Sequence, residues 1–470
     1  KIIGLSIFGF GVYLIYYGWD FTVMMHESTL AATKLPNSAL YFVMPVTGVM
    51  TCAYAALQVA GFDTKRHKGN EVEMGGMIYM DIPLAVLGQQ MIQGVSSFSL
   101  LAIPFFILTG QIMGEGGLAL RMVNFAYLLV GRIRGGLALV NCVACMFFGN
   151  ISGSAVADAS SIGSVMIPMM KKKGYDADYS VGLTISSAIQ GVVVPPSHNL
   201  VLYSIVAGGI SIKSLFLAGI TPGFILLFTL MTVAYIMARK RGYQKGDPVP
   251  KEKVPGILLH GLLSLSPAFV ILGGIISGLF TATESGALAA LYAFILAFGF
   301  YREAPLSAMI PVLKRTFRIV LMVYFLIAAS AAFGWLLAYL KIPLLVTDFF
   351  MSVSDSPIVI MMLINILLLL LGGPMDMAPM ILIMTPILLP VATAMGIDPV
   401  HFGLILIFNA GMGLLTPPVG TVLFVGCAIG GVTLSQGTKA MMPFFYAMII
   451  VLLLITYIPQ ITMWLPNLVK

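Results

Sequence analysis

Gly191-Val192-Val193-Val194-Pro195-Pro196-Ser197-His198-Asn199 returns 222 positions later as Gly413-Leu414-Leu415-Thr416-Pro417-Pro418-Val419-Gly420-Thr421. Neither proline of a pair has an N–H, and the first holds its predecessor in extended geometry, so a helix entering either stretch breaks there. Carbonyls just before the break lose their helical donors. In hydrocarbon a bare carbonyl costs several kcal/mol, and such backbone persists only where it lines a cavity or binds a cation.

The same shift of 222 positions places Pro168 on Pro390, Gly174 on Gly396, Asp176 on Asp398, Ala188 on Ala410 and Gly208-Gly209 on Gly430-Gly431, without a gap. Most matches are Gly or Pro, which fix backbone shape rather than share mere hydrophobicity. Chance in a Gly-rich chain does not account for the common spacing of the Pro-Pro pair. Charge sets the hand of the repeat. Lys171-Lys172-Lys173 precedes Gly174, whereas Thr393-Ala394-Met395, with no positive charge, precedes Gly396. The positive-inside rule puts these equivalent turns on opposite membrane faces. An inverted-topology repeat of this kind marks secondary transporters with a site between the two units.

Composition agrees. Of 470 residues 59% are hydrophobic and only 9% charged, with a mean hydropathy of +1.01; soluble chains carry about a quarter charged residues. Apolar runs such as 257–280, 320–340, 358–371 and 447–458 fill the sequence. At about 20 apolar residues per span, roughly ten to fourteen membrane segments fit, some too short to cross. The expected fold class is therefore an all-α integral membrane protein. The net charge of +7 does not indicate nucleic acid, because the basic residues sit in short connections. Lys65, Arg66 and Lys68, Arg132 and Arg134, the 239–245 stretch with Lys251 and Lys253, and Lys314, Arg315 and Arg318 form a positive-inside pattern. No Gly-x-x-x-x-Gly-Lys-Ser/Thr phosphate loop occurs. Cys142 and Cys145 form a Cys-x-x-Cys inside an apolar run with no second pair, against the four ligands a structural zinc needs. No cleavable signal peptide is legible.

Two polar breaks divide the chain. Two helices are expected at 2–18 and 41–59, within a segment 1–62, followed by a connection 63–81. A first half, 82–238, is separated by a basic Pro/Gly-rich loop, 239–255, from a second half, 256–470.

Each half carries one further stretch unlike a spanning helix: Gly149-Asn150-Ile151-Ser152-Gly153-Ser154-Ala155-Val156-Ala157-Asp158, and its counterpart Gly372-Gly373-Pro374-Met375-Asp376. Hydroxyls of Ser152, Ser154 and Thr416, with carbonyls at the breaks, make oxygen-only sets suited to a hard monovalent cation such as sodium. Each feature also has a plain structural reading: a kink at Pro-Pro, close helix packing at Ser-Gly-Ser, a helix cap at Asp158 or Asp376. Their occurrence as two related sets favours a site. Asp158 and Asp376 are carboxylates in membrane segments, which points to function. Asp176, Asp398 and Glu284 are expected as helix-start residues, Glu284 within a capping box. His198 beside Pro-Pro-Ser is a candidate substrate contact. An intramembrane hydrolase triad from Ser154, Asp158 and His198 finds no support, since no nucleophile elbow is present.

Leu101-Ala102-Ile103-Pro104-Phe105-Phe106, the Ser152–Asp158 stretch, Val194-Pro195-Pro196-Ser197, Thr281-Ala282-Thr283-Glu284 and Leu415-Thr416-Pro417-Pro418-Val419-Gly420 together resemble the large membrane subunit of tripartite ATP-independent periplasmic (TRAP) transporters. The resemblance runs from about residue 82 to the end. Residues 1–62 resemble the last two helices of the family's small subunit, without its first helices, and the family's helix before residue 82 is also missing. The resemblance implies sodium-coupled uptake of an organic acid (a sialic acid, C4-dicarboxylate or sugar acid) handed over by a periplasmic binding protein. It implies an elevator, in which a transport domain with two re-entrant hairpins slides against a scaffold. One sodium site would then use Ser152, Ser154, Gly191, Val194 and Pro196, the second Gly372, Asp376, Gly413 and Thr416. Asp158, Ser197 and His198 are the residues expected near the substrate. A passive channel or membrane receptor, or a divalent-anion/sodium symporter working without a binding protein, are the rival readings.

Overall fold

Apolar runs punctuated by Gly, Pro and capping residues give a wholly helical arrangement in the computed structural model, which describes residues 84–417 and 419–469. The helices expected at 2–18 and 41–59, the connection 63–81 and Pro418 lie outside the described residues. In chain order the helices are α1 (Leu84–Val95), α2 (Ala102–Glu115), α3 (Leu118–Val130), α4 (Gly136–Ser152), α5 (Ala155–Lys172), α6 (Ala177–Ala188), α7 (Gln190–Val193), α8 (His198–Val206), α9 (Ile212–Lys240), α10 (Val254–Ser277) and α11 (Ala282–Phe294). They continue as α12 (Met309–Tyr339), α13 (Ile342–Val353), α14 (Pro357–Gly372), α15 (Met377–Ala394), α16 (Pro399–Gly413), α17 (Thr421–Gly430), α18 (Leu434–Tyr457) and α19 (Gln460–Leu468). A 3-10 turn, Phe98–Leu101, joins α1 to α2, and a π-helical segment, Ile295–Tyr301, extends α11. Among the described residues seven helical segments are long and apolar enough to cross a membrane.

Caps set the boundaries. Asp176 and Asp398, each following a turn glycine with positive φ (Gly174 83°, Gly396 77°), are the N-caps of α6 and α16. Thr281 and Glu284 form the expected capping box at α11. The repeat holds at the level of whole elements. α5 and α15 are both 18 residues long and begin and end 222 positions apart, and α9 and α18 begin 222 positions apart. The N-caps pair in the same register: Ser154 with Asp376, Asp176 with Asp398, Ser211 with Thr433.

Five contacts fix the topology. Gly135 N donates to the Gln244 carbonyl at 3.2 Å, and Lys173 Nζ pairs with Asp247 at 2.7 Å. Both ends of the α4–α5 pair therefore return to the same basic loop, and the pair is a re-entrant hairpin. Lys171 Nζ donates to the Gly430 carbonyl at 3.1 Å, so α18, which starts four residues later, begins on that face too. Its 24 residues span about 36 Å, which carries Tyr457 to the other side. There the Tyr457 hydroxyl donates to the Ile358 carbonyl at 3.1 Å, and His401 Nε2 lies 3.4 Å from the Thr456 carbonyl. Both ends of α14–α15 thus open on the face away from the lysines. The two hairpins are related as an inverted repeat, in agreement with the charge argument.

The remaining elements follow the same plan. α8 packs against α15, and its repeat partner α17 packs against α5. α3 and α13, 13 and 12 residues long, are too short to span and connect α2 to hairpin 1 and α12 to hairpin 2. α2, α10, α11 and α12 pack among themselves as a second group beside the hairpins.

Candidate functional site

Each hairpin tip crosses a broken helix through two glycines. Pro195 and Pro196 stand four residues after Gly191 and Val192, whose carbonyls therefore have no helical donor. α7 ends at Val193, Val194 is extended (φ −76°, ψ 129°), and α8 restarts at His198. A Cβ placed on Gly191 would lie 2.8 Å from Gly149 Cα in α4. In the second repeat a Cβ on Gly413 would lie 2.5 Å from Gly372 Cα, with α16 ending at Gly413 and α17 starting at Thr421. The two breaks adjoin: a Cβ on Gly411 would meet Val192 Cγ2 at 2.9 Å.

At the first tip, Gly153 takes the left-handed conformation (φ 61°) that turns α4 into α5. Its carbonyl accepts from Asn199 Nδ2 at 2.9 Å, and a Cβ there would lie 2.8 Å from His198 Nδ1, so the tip sits on the start of α8. Ser154 caps α5, its Oγ accepting from Ala157 N at 3.3 Å. Ser152 Oγ accepts from Ser154 N at 3.4 Å. Ser152, Ser154, Gly191, Val194, Ser197 and His198 are thus gathered at one crossing with Pro196. Ser197 is fully buried, and Ser197 Oγ and His198 Nδ1 are both without a hydrogen-bond partner.

Asp158 lies beneath this tip in the first turn of α5, fully buried, with neither carboxylate oxygen hydrogen-bonded. Its Oδ2 lies 3.2 Å from where a Gly149 Cβ would be. A carboxylate left so in a protein interior is costly unless a cation joins it.

The second tip is built from the same parts with different detail. Asp376 is exposed and caps α15, its Oδ1 accepting from Met377 N at 2.9 Å. By register it is the counterpart of Ser154. Asp158 stands 222 positions before Met380 and has no acidic counterpart. The two carboxylates of the paired stretches are therefore not equivalent residues. Thr416 Oγ1 donates to the Met412 carbonyl at 3.3 Å. Here the carbonyls before the break are partly engaged: Gly413 O accepts from Thr416 N at 2.9 Å and Leu414 O from Val422 N at 3.2 Å. Around Gly191 and Val192 no loop or side-chain donor takes their place among the described residues. The first crossing offers a hard cation the freer oxygens.

Other groupings do not form a site. Ser154, Asp158 and His198 make no mutual hydrogen bond, so no triad is assembled. Cys142 and Cys145 are buried in α4, and among the described residues no three His, Cys, Asp or Glu side chains come together. Sequence reasoning gave no role to Gly149, although it stands in the same paired stretch as Gly372. It also missed the buried Asn365, which accepts from Asn409 and donates to Thr456 Oγ1 at 3.0 Å, tying hairpin 2 to α16 and α18. An asparagine in an apolar helix was the available signal.

Two cavities open elsewhere: one of about 650 Å³ at the start of α9, and one of about 410 Å³ lined by Arg121, Asn124, Lys253, His260 and Glu303. None of the tip residues lines either.

Comparison with known proteins agrees with this architecture. The family model described as "Tripartite ATP-independent periplasmic transporter, DctM component" matches residues 29–461. The sialic acid TRAP transporter large permease SiaM of Vibrio cholerae is 41% identical over 380 residues, which cover 81% of this chain and 89% of that protein. The C4-dicarboxylate TRAP transporter large permease DctM of Pseudomonas aeruginosa is 38% identical over 370 residues, covering 79% and 86%. Among solved structures, the YdaH transporter of Alcanivorax borkumensis superposes with a TM-score of 0.58 at 13% identity, covering 84% of this chain and 90% of that one, a likeness of fold alone. With its inverted hairpins and apolar helices, the chain is a multi-pass inner-membrane protein and belongs to the DctM component, the large permease, of the TRAP transporters.

Proposed function

We propose that this permease takes up an organic acid anion by sodium symport, with the acid handed over by a periplasmic binding protein. The observation that carries this reading is the pair of glycine crossings, where two hairpins opening to opposite faces each meet a helix broken at Pro-Pro. Inverted-repeat secondary transporters hold a central site between two such units, reached in turn from either side. Sodium would bind at the first crossing through Ser152, Ser154, Gly191, Val194 and Pro196, and at the second through Gly372, Asp376, Gly413 and Thr416. Free carbonyls at Gly191 and Val192 and the unpartnered charge of Asp158 support the first set most strongly.

Of the residues assigned to the acid, Ser197 and His198 keep that role, since they offer donors at the N-terminus of α8. Asp158 is reassigned to the cation side, because a sealed anion repels a carboxylate. The substrate class follows the printed names of the relatives, which include sialic acid and C4-dicarboxylate permeases. Residues 1–62 would brace the scaffold as small-subunit-like helices, although only residues 1–28 lie wholly outside the large-component match. In the elevator reading, α4–α9 with α14–α19 move against α2 and α10–α12, with α3 and α13 as the connecting arms.

The test is uptake into proteoliposomes with candidate binding proteins. We expect acid uptake to follow an inward sodium gradient, to need no ATP and to fail without the binding protein. Undiminished uptake in choline-only buffer sinks the sodium claim. Uptake without a binding protein favours a stand-alone symporter, and downhill, sodium-independent flux favours a channel.

A further inference from the structure

The cavity of about 650 Å³ lies where α9 begins, and Ser97, Ser99, Ser204, Ser211, Lys213 and Thr281 are among its lining residues. Its side of the membrane follows from the helices that end there. α9 runs 29 residues from this cavity to Arg239 and Lys240, and α10 runs 24 residues to it from beside Lys253. The cavity therefore opens on the face away from the cytoplasmic lysines. Its size falls within the roughly 300–1,000 Å³ usual for small-molecule sites.

Its chemistry is that of an anion site. Lys213 is half-buried, and among the described residues it takes part in no ion pair. Few basic residues face this side, so a lone lysine here runs against the general charge bias. The N-termini of α9, capped by Ser211, and of α11, capped by Thr281, both border the cavity and add their positive dipole ends. Glu284, the acidic residue at this end of α11, is held back on Thr281, accepting from its amide and hydroxyl at 2.8 Å each. Ser204 ties the end of α8 down by donating to the Ile210 carbonyl. α8 itself leads from the cavity to the first hairpin tip, a length of nine residues or about 13 Å.

We propose that this cavity is an outer waiting site for the transported acid. A carboxylate rests against Lys213, with hydroxyl or amide groups of the same molecule on Ser97, Ser99 and Ser211, before the acid passes along α8 to the hairpin tips. The site takes polyhydroxylated or dicarboxylic acids and disfavours cations. It rests on the uptake reading above, and it predicts an anion preference at the cavity whether or not sodium drives the later step.

Ser99→Cys placed in proteoliposomes tests it with an anionic and a cationic methanethiosulfonate, each rate divided by that reagent's rate with a small free thiol. The wild type supplies the background: Cys142, Cys145 and Cys427 are buried, and Cys52, outside the described residues, is replaced by Ser in every sample. Labelling from the outer face should favour the anionic reagent by about tenfold, the scale of one nearby unit charge screened by water. Adding Lys213→Gln should abolish that preference, and saturating N-acetylneuraminate or succinate should slow labelling while Lys213 is present. Equal normalised rates for the two reagents, an unchanged preference after Lys213→Gln, or labelling only from the cytoplasmic face each overturn the proposal. Sodium-dependent thermal stabilisation, measured on the same samples, should be unaffected by Lys213→Gln. Its absence from the wild type sinks the sodium reading while the anion preference is judged on its own.

Discussion

Gly191 and Gly149 touch through their backbones: a methyl group on Gly191 would stand 2.8 Å from Gly149 Cα, and Gly413 meets Gly372 in the same way at 2.5 Å. Real Cβ atoms do not approach backbone so closely, so the obstacle to any side chain here is main chain, which has nowhere to swing. Gly191→Ala and Gly413→Ala should each push a hairpin tip off its broken helix, at an overpacking cost of about 1–3 kcal/mol. Membrane abundance should stay near normal, and the sodium concentration giving half-maximal stabilisation should rise about tenfold or more. Gly334→Ala, in α12 with nothing within 4 Å of the added methyl, is the matched control and should leave the sodium response alone. Wild-type sodium stabilisation in both crossing variants removes these glycines from the site.

Lys172 and Ala394 end the equivalent helices α5 and α15 and are both exposed. Single cysteines at these positions should react with an impermeant reagent from opposite sides of the membrane, Ala394→Cys from the periplasm and Lys172→Cys from the cytoplasm. Periplasmic labelling of both contradicts the inverted arrangement.

Much of this fold was written into the chain because its strongest signals are local and repeated. Pro-Pro breaks a helix in any context, and the paired spacing of Gly174 and Gly396 fixed two turns at once. Re-entry of α4–α5 was not derivable from hydropathy, since it depends on Gly135 and Lys173 both reaching the 244–247 loop. The pairing of the two aspartates misled for a related reason: the stretches correspond, yet the cap position holds Ser154 in one repeat and Asp376 in the other. Gly191, Gly372 and Gly413 were legible as site glycines, but Gly149, on which Gly191 packs, was not. Nothing local says which backbone an exposed glycine face will meet.

A cytoplasmic clasp closes the end of α6. Tyr243 donates to Asp176 at 2.6 Å and Arg241 pairs with the same carboxylate at 2.6 Å, while Arg241 also reaches Asp178 at 3.4 Å. The Tyr243 hydrogen bond first, and Arg241 second, hold the Asp176 carboxyl below the usual carboxylate range. A lowered folded value contributes stability above the unfolded value of about 3.9, and that contribution is lost as pH falls through the folded one. Between pH 5 and 8 this group should therefore leave stability flat. Because Asp176 is largely exposed, Arg241→Ala should cost no more than about 1 kcal/mol, and less in high salt. Thermal unfolding of the variant at pH 7 in low and high salt checks both statements, and a loss that salt does not reduce means that Arg241 acts by packing.

Asp158 offers the sharpest separation of stability from function. Its carboxylate is fully buried with no hydrogen bond to either oxygen, close against the Gly149–Gly191 crossing. The elements packed on α5 bring no cationic side chain to it: Cys142 and Cys145 on α4 and Cys427 on α17 are thiols, while Arg121 and Tyr127 on α3, and Asp178 and Tyr179 on α6, belong to the cytoplasmic end. If the carboxylate is there for a cation, neutralising it should relieve the sodium-free protein and damage the sodium-bound one. Asp158→Asn keeps the shape and should leave the sodium-free protein as stable as the wild type or more so, by up to about 1–3 kcal/mol, the scale of an unsatisfied buried polar group. The same change should abolish most of the stabilisation by sodium and most uptake. Asp376→Asn is the informative comparison, since asparagine caps a helix about as well as aspartate. It should keep its sodium-free stability and lose sodium affinity only in so far as its charge, rather than its capping oxygen, is used. A structural role for Asp158 predicts the reverse pattern: Asp158→Asn unstable in the absence of sodium, with the sodium-induced rise in melting temperature intact. Thermal melts of the three proteins across a sodium titration, with potassium as the ionic-strength control, decide between the two.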